Sequence, residues 1–240
     1  MMPHETQDEA MATTLYMITA KICALRDDME YFRNYSKSGS AVPWALAIDA
    51  ELEAWANDCP ASYKYTSVTL TETSEFVYDN HFHVYSSVTI ATLWNECRRM
   101  RILCHELLLQ HLPHLIEHQA EYPNLQLSSD GMETQFHDSN EIIESLAKDI
   151  CASVPFHFGL HLQDARKFGT LSPKAVCGNL LLRPLYMAGE PRFVSNDIRK
   201  WVIGRLEKIA EVMGIKQATS LAHLVKIGVD PDQWEDTIRD

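Results

Sequence analysis

With 240 residues, 46% of them hydrophobic and 22% charged, the chain has the make-up of an ordinary globular protein, and one continuous pattern favours a single domain. A formal net charge of −12 opposes direct binding to nucleic acid, because the densest basic patch, Arg98, Arg99 and Arg101, is flanked by Glu96 and Glu106. No apolar run reaches the roughly 18 residues of a membrane span, and no basic segment followed by an apolar core opens the chain, so no membrane partner and an intracellular (nuclear or cytoplasmic) setting are expected.

Six scattered cysteines, Cys23, Cys59, Cys97, Cys104, Cys151 and Cys177, fit reduced, buried thiols in such a setting. Over residues 6–37, Leu15, Ile18, Ile22, Leu25, Met29 and Phe32 recur at steps of three and four, which predicts a long helix. A second helix is expected over 42–57, with Pro43 in its first turn; Trp44, Ile48, Leu52 and Trp55 share one side, and Asp49, Glu51 and Glu53 form a solvated face. Residues 61–76, rich in threonine around Tyr65, Val68 and Leu70, predict an extended loop or short hairpin.

The longest helix is expected over 80–112, carrying Ile90, Leu93, Trp94, Cys97, Met100, Cys104 and Leu107, and stopped or kinked by Pro113. Residues 121–137 read as a polar loop, and Ser139 as the start of a helix ended by Pro155. Three more helices are expected over 172–188, 195–213 and 215–225, with Ser172 capping the first and Gly189 and Gly214 as C-terminal glycines. The fold class is therefore all-α, with about seven helices in all and one short extended segment, arranged as an N-terminal helix (1–40), a helical domain (41–228) and a tail (229–240).

Candidate chemistry is sparse. Cys97 and Cys104 are seven apart, the core period of a helix, so burial explains them better than zinc. His111, His114 and His118 have helical metal-ligand spacing, but Pro113 lies among them; His81 and His83 flank Phe82, and His157 and His161 are four apart across Gly159. For all of these a surface or cap role is favoured over a metal, and no metal or cofactor is expected. No phosphate-cradling loop, nucleophile elbow or dinucleotide fingerprint occurs. More informative are polar residues inside apolar stripes: Asn95, Arg98 and Arg101 beside Trp94, and Arg183 within Leu180–Tyr186. A buried arginine needs a partner. The options are an internal ion-pair network with Asp49 or Glu51, or an anion or small-ligand pocket built from His83, Tyr85, Trp94, Arg98, Arg101 and Arg183, with Trp44 as a further wall.

The run Ala45-Leu46-Ala47-Ile48-Asp49-Ala50-Glu51-Leu52-Glu53-Ala54-Trp55 with Pro60 and Tyr63 resembles a segment of the fungal-specific transcription factor domain, which lies C-terminal to six-cysteine zinc clusters. His83-Val84-Tyr85, Ile90–Asn95, Arg98 and Arg101–Glu106 resemble its most recognisable stretch. Ser153–Gly159, Leu182–Tyr186, Trp201–Ile209 and Met213–Ala218 follow in the expected order, so the resemblance spans roughly residues 43–224. It implies an all-helical regulatory module of a nuclear regulator, often of metabolic or secondary-metabolite genes, that receives a small-molecule effector or another transcription regulator, with a homodimer compatible. The cysteines here are too dispersed for the zinc cluster, and the basic linker and coiled coil that follow it are not found, so DNA reading would fall to another chain.

Three expectations follow. The chain is a regulatory module without its own DNA-binding head; or it is part of a longer regulator, Met1-Met2 standing where an internal start could fall; or its helical framework serves as a small-molecule-binding protein or enzyme in a biosynthetic pathway.

Overall fold

The computed structural model describes residues 7–31, 41–117, 129–159, 175–190, 192 and 194–228. Among them the chain forms seven α-helices and one two-stranded ribbon, an all-α fold with a short extended segment. The helices are α1 (Gln7–Tyr31), α2 (Ala41–Asp58), α3 (Val88–Glu117), α4 (Ser129–His157), α5 (Ala175–Ala188), α6 (Asn196–Met213) and α7 (Lys216–Ile227). The strands β1 (Thr66–Thr69) and β2 (His81–Val84) lie between α2 and α3. No described helix is long and apolar enough to cross a membrane. The chain divides into two compact units, residues 1–60 with 100–143 and residues 61–99 with 144–240; the boundaries fall inside α3 and inside α4.

In the first unit α1 and α2 pack through the stripes their spacing predicts. Leu15, Ile18 and Ile22 are buried on α1, and Val42, Ala45, Ile48, Leu52 and Trp55 on α2. Val42 and Ala45 also meet Leu108 and Leu112 of α3. The Trp55 indole N–H donates to the Met11 carbonyl at 2.9 Å, which satisfies the polar end of a ring otherwise held for its apolar area. Asp49, expected on a solvated face, is instead buried, while Glu51 and Glu53 are exposed. Its carboxylate takes the Arg101 fork, from Nε at 2.7 Å and from Nη2 at 3.1 Å. The expected ion-pair network is therefore realised with Asp49, whereas Glu51 pairs with Lys21 at the surface.

In the second unit the ribbon pairs Thr66 with Val84, Ser67 with His83, Val68 with Phe82 and Thr69 with His81. Asp79 and Asn80 turn the chain into β2 with positive φ, 49° and 54°, a conformation that short polar side chains tolerate better than most. Strand alternation then places Phe82 with Val68, Leu70, Val77 and Val84 on one face. His83 falls on the other face. The helix expected from residue 80 thus starts eight residues later, because His81–Val84 has the period of a strand and finds a partner in β1.

Helices α5, α6 and α7 pack on one another. Ile198, Val202, Leu206 and Ile209, at steps of four, four and three, form the buried face of α6; each such side chain stabilises by about 1.5–3 kcal/mol on burial. Gly214 (φ 70°) and Gly228 (φ 75°) end α6 and α7 in the left-handed conformation that glycine adopts without a Cβ clash. Gly189 differs from the expectation of a C-terminal glycine of that kind, since its φ is not positive. It is required by packing: a Cβ there would stand 2.9 Å from methyl carbons of both Val202 and Val225.

Two expected proline boundaries, at Pro113 and Pro155, shift, while Pro184 lies inside a helix as expected. Pro113, Pro155 and Pro184 lie inside α3, α4 and α5. A proline deletes one rung of the ladder, and buried residues beyond it, such as Phe156 and His157 or Leu185 and Tyr186, hold the helix on course. Helix α4 begins ten residues before Ser139, within the expected loop, because Glu133, Thr134, Phe136, His137 and Asp138 are exposed and leave no apolar stripe to read. Ser172, the histidine at 161, the histidine at 118 and the side chain of the histidine at 114 lie outside the described residues.

The two kinds of glycine give opposed expectations. Gly189→Ala should destabilise by about 1–3 kcal/mol, since Val202 and Val225 are β-branched and cannot swing aside. Gly204→Ala, inside α6 with nothing within 4 Å of its Cβ, should stabilise by about 0.4–1 kcal/mol. Urea unfolding of both variants checks the pair; equal effects would contradict the packing account.

Candidate functional site

The second unit holds a polar cluster centred on Arg98, assembled from a ribbon and two helices. Strand β2 and the residue after it supply His83 and Tyr85. Helix α3 supplies Trp94 and Asn95, with Arg98 one helical turn after both and so beside each of them. Helix α4 supplies Asp149, Ser153 and His157, at steps of four. His83, Tyr85, Asn95, Arg98, Ser153 and His157 are buried, Arg98 with 2% of its surface exposed. Asp149 reaches solvent, its side chain 38% exposed.

The hydrogen bonds fix the proton positions, because an arginine can only donate. Arg98 Nη1 donates to the Tyr85 hydroxyl at 2.7 Å and to Asn95 Oδ1 at 3.1 Å. Its Nη2 lies 3.3 Å from His83 Nδ1, so that nitrogen is an acceptor and the ring proton is on Nε2. Tyr85 then directs its own proton to the same Nδ1, at 3.2 Å. With Asn95 Oδ1 held by Arg98, its amide Nδ2 donates to Ser153 Oγ at 2.8 Å and faces His157 Nε2 at 3.5 Å. Ser153 passes its proton to the Ile150 carbonyl at 2.7 Å. Within this cluster two buried donors, Arg98 Nε and His157 Nδ1, have no hydrogen-bond partner among the described residues; elsewhere the same holds for His105 Nε2, Trp201 Nε1 and Arg205 Nε.

Aromatic faces enclose the charge. The guanidinium carbon lies 5.1 Å from the Tyr65 ring centre and 5.4 Å from that of Trp94, each within cation–π range. Trp94 is anchored by its indole N–H on the Tyr63 carbonyl at 2.8 Å. The nearest carboxylate is Asp149, with Oδ2 3.6 Å from Arg98 Nε and Oδ1 3.8 Å from His83 Nε2.

Burial and the Arg98 charge set the titration of the whole group. Burial first, then Arg98, push the His83 ring down to about 2 and the His157 ring down to about 4. Both are neutral at neutral pH, so the His83–Asp149 approach is no ion pair. Burial pushes the Tyr85 hydroxyl up to about 12 against the opposing pull of Arg98. Burial also disfavours the charge of Arg98, yet Tyr85 and Asp149 raise its hold on the proton above the usual value. The centre is thus one fixed positive charge whose hydrogen-bond partners are neutral, with the Asp149 carboxylate at 3.6 Å as its counter-ion.

Of the residues singled out from sequence, His83, Tyr85, Trp94 and Arg98 come together here. Arg101 belongs to the Asp49 pair of the first unit. Arg183 and Trp44 are exposed, so neither is embedded as its apolar neighbours suggested; both occupy the outward side of a helix whose other side is apolar. His83 is buried rather than at the surface. Cys97 and Cys104 are core residues, as their spacing predicts. Among the described residues no group of His, Cys, Asp and Glu is placed to hold a metal. Sequence reading assigns Tyr65, Asp149 and Ser153 no place at the site and gives His157 a surface or cap role, whereas it is buried; Asp149, Ser153 and His157, four apart in an otherwise apolar run, are a legible polar file on one helix face.

The first unit contains an alignment with the appearance of a hydrolase triad. His105 Nδ1 lies 3.1 Å from Ser139 Oγ, and its Nε2 lies 3.3 Å from Asp49 Oδ2 without hydrogen-bond alignment. Ser139 is wholly buried in mid-helix, and its Oγ also faces Gln135 Nε2 at 3.3 Å. No substrate carbonyl can reach it, so the arrangement is a packing network. Burial pushes Asp49 up, but the nearby His105 ring and the hydrogen bonds and charge of Arg101 outweigh this and hold it below the usual carboxylate value.

These shifts have a defined consequence for stability. In the unfolded chain the two histidines take up protons near pH 6.5, whereas folded His83 and His157 refuse them until about 2 and about 4. Stability is therefore full above pH 6.5 and falls as pH drops, by about 1.4 kcal/mol per pH unit for each ring. Asp49 adds its loss only below about pH 4. Urea unfolding between pH 7 and 4.5 should show this decline, and His83→Gln, whose amide oxygen can still accept from Arg98, should retain about half of it. A flat profile would contradict the buried neutral rings.

No family model, curated protein or solved structure matches this chain.

Proposed function

We propose that this chain is the regulatory module of a transcription regulator of the fungal zinc-cluster kind, acting by binding an effector or partner and leaving DNA recognition to another chain or segment. The observation that carries the reading is the Arg98 cluster. His83, Tyr85, Trp94 and Arg98 come from the stretch where the family resemblance is densest, and they meet in one buried group with donors to spare. A charge held under aromatic rings, with hydrogen-bonding capacity unspent, suits recognition of a small polar molecule. The net charge of −12 supports indirect action on DNA, since phosphate contact requires a basic face. Secondary metabolism and a nuclear site of action belong to this same reading.

Joining the full chain to an unrelated DNA-binding head tests it. Reporter output from that head's sites should differ several-fold from output with the head alone, and the chain by itself should leave the fluorescence anisotropy of labelled duplex DNA unchanged. A fusion indistinguishable from the bare head, or salt-sensitive DNA binding by the chain itself, would overturn the proposal.

A further inference from the structure

We infer that the Arg98 cluster is a receiving site for a small organic carboxylate, which binds the guanidinium by exchanging with the side chain of Asp149. The inference deepens the effector-binding reading and rests on it for its biological role, while the binding itself stands on the geometry.

The first ground is a count of donors. Arg98 has five N–H groups, and the described residues offer it three acceptors: Tyr85 Oη, Asn95 Oδ1 and His83 Nδ1. Nε–H has none, and the His157 Nδ1–H is likewise unmatched. A buried donor without an acceptor costs about 1–3 kcal/mol. The molecule that complements this cluster therefore brings acceptors, and beside a fixed positive charge it brings a negative one.

The second ground is a comparison within the chain itself. Arg101 presents its Nε and Nη2 to Asp49 and receives the two oxygens at 2.7 and 3.1 Å, the bidentate fork that planar carboxylates form. Arg98 faces a carboxylate too, but Asp149 stands 3.6 Å from Nε and makes no hydrogen bond to it. The same side chain chemistry is satisfied in one place and left open in the other.

The third ground is access. Arg98, His83 and Tyr85 are buried, whereas Asp149 is 38% exposed. Asp149 can turn into water at little cost, and what takes its place has to be small, which favours a free carboxylate over an acidic segment of a protein. Planarity and a single charge favour carboxylate over phosphate, since one guanidinium balances one charge.

The test uses the full chain, with acetate and benzoate as probes, their amides as neutral controls, inorganic phosphate as the competing anion, and chloride to hold ionic strength constant. Asp149→Asn removes the internal competitor while keeping its shape, at a position that makes no hydrogen bond. The variant should bind benzoate or acetate about tenfold more tightly than the parent chain, and its Tm should rise with carboxylate but not with amide. In the parent chain the His83 Nε2–H resonance should move on adding carboxylate, as Asp149 leaves, which gives a readout independent of the variant's folding. Absence of any carboxylate-specific change in both proteins would overturn the inference, and an equal response to phosphate would overturn the ligand class. If carboxylate binds but leaves the reporter fusion unaffected, the site stands and the regulatory reading falls. If the fusion regulates while no carboxylate binds, the regulatory reading stands and this inference falls.

Discussion

A guanidinium withdrawn from water loses the solvation of a full positive charge, and the second unit is arranged around making that loss tolerable at Arg98. Three neutral acceptors, two aromatic faces and a carboxylate at longer range stand in for the missing water. Each of those groups is in turn fixed by the demand. The His83 tautomer, the orientation of the Asn95 amide and the direction of the Tyr85 proton all follow from Arg98 being unable to accept. The ribbon has a role in the same arrangement. Pairing with β1 holds β2 extended, and extension turns His83 away from the apolar face carrying Phe82.

Two arginines one turn apart on α3 show how surroundings decide what one side chain does. Arg101 is locked by a bidentate carboxylate, with both Asp49 oxygens held by its fork and His105 standing 3.3 Å from one of them. Arg98 retains capacity. Internal ion pairs of the first kind set packing and register and add little net stability. A charged group whose bonding is incomplete and whose counter-ion is solvent-accessible is the ground on which the binding site is proposed. The Ser139–His105–Asp49 alignment makes the complementary point: the residue types of a hydrolase, at suitable distances, carry no chemistry when the hydroxyl is sealed inside a helix.

Much of the helical frame was legible in the sequence, because stripes such as Leu15, Ile18 and Ile22, or Ile198, Val202, Leu206 and Ile209, repeat at a period that only a helix buries. The errors came where the signal is weak for a physical reason. His81–Val84 is too short for alternation to stand out, and its strand character depends on a partner twelve and more residues earlier. The first turns of α4 are polar and exposed, so no apolar stripe announces them. Prolines were overweighted as stops. At the site, Arg98 and its aromatic neighbours stood out as polar and bulky residues in an apolar run, but the same criterion also selected Arg183, which points outward. Helical spacing tells which residues share a face. It does not tell which face is covered, and so spacing alone does not bring Asp149, Ser153 and His157 to the site; that takes α4 lying beside α3 within that unit.

The central claim, that Arg98 is a buried hub holding His83 neutral with its proton on Nε2, is tested most directly by nitrogen-15 NMR of the histidine rings as a function of pH. The account predicts that the His83 signals keep the neutral Nε2–H pattern between about pH 8 and pH 5, without titrating, since folded His83 takes a proton only at about 2. A His83 ring that titrates near pH 6.5, or that carries its proton on Nδ1, would contradict it.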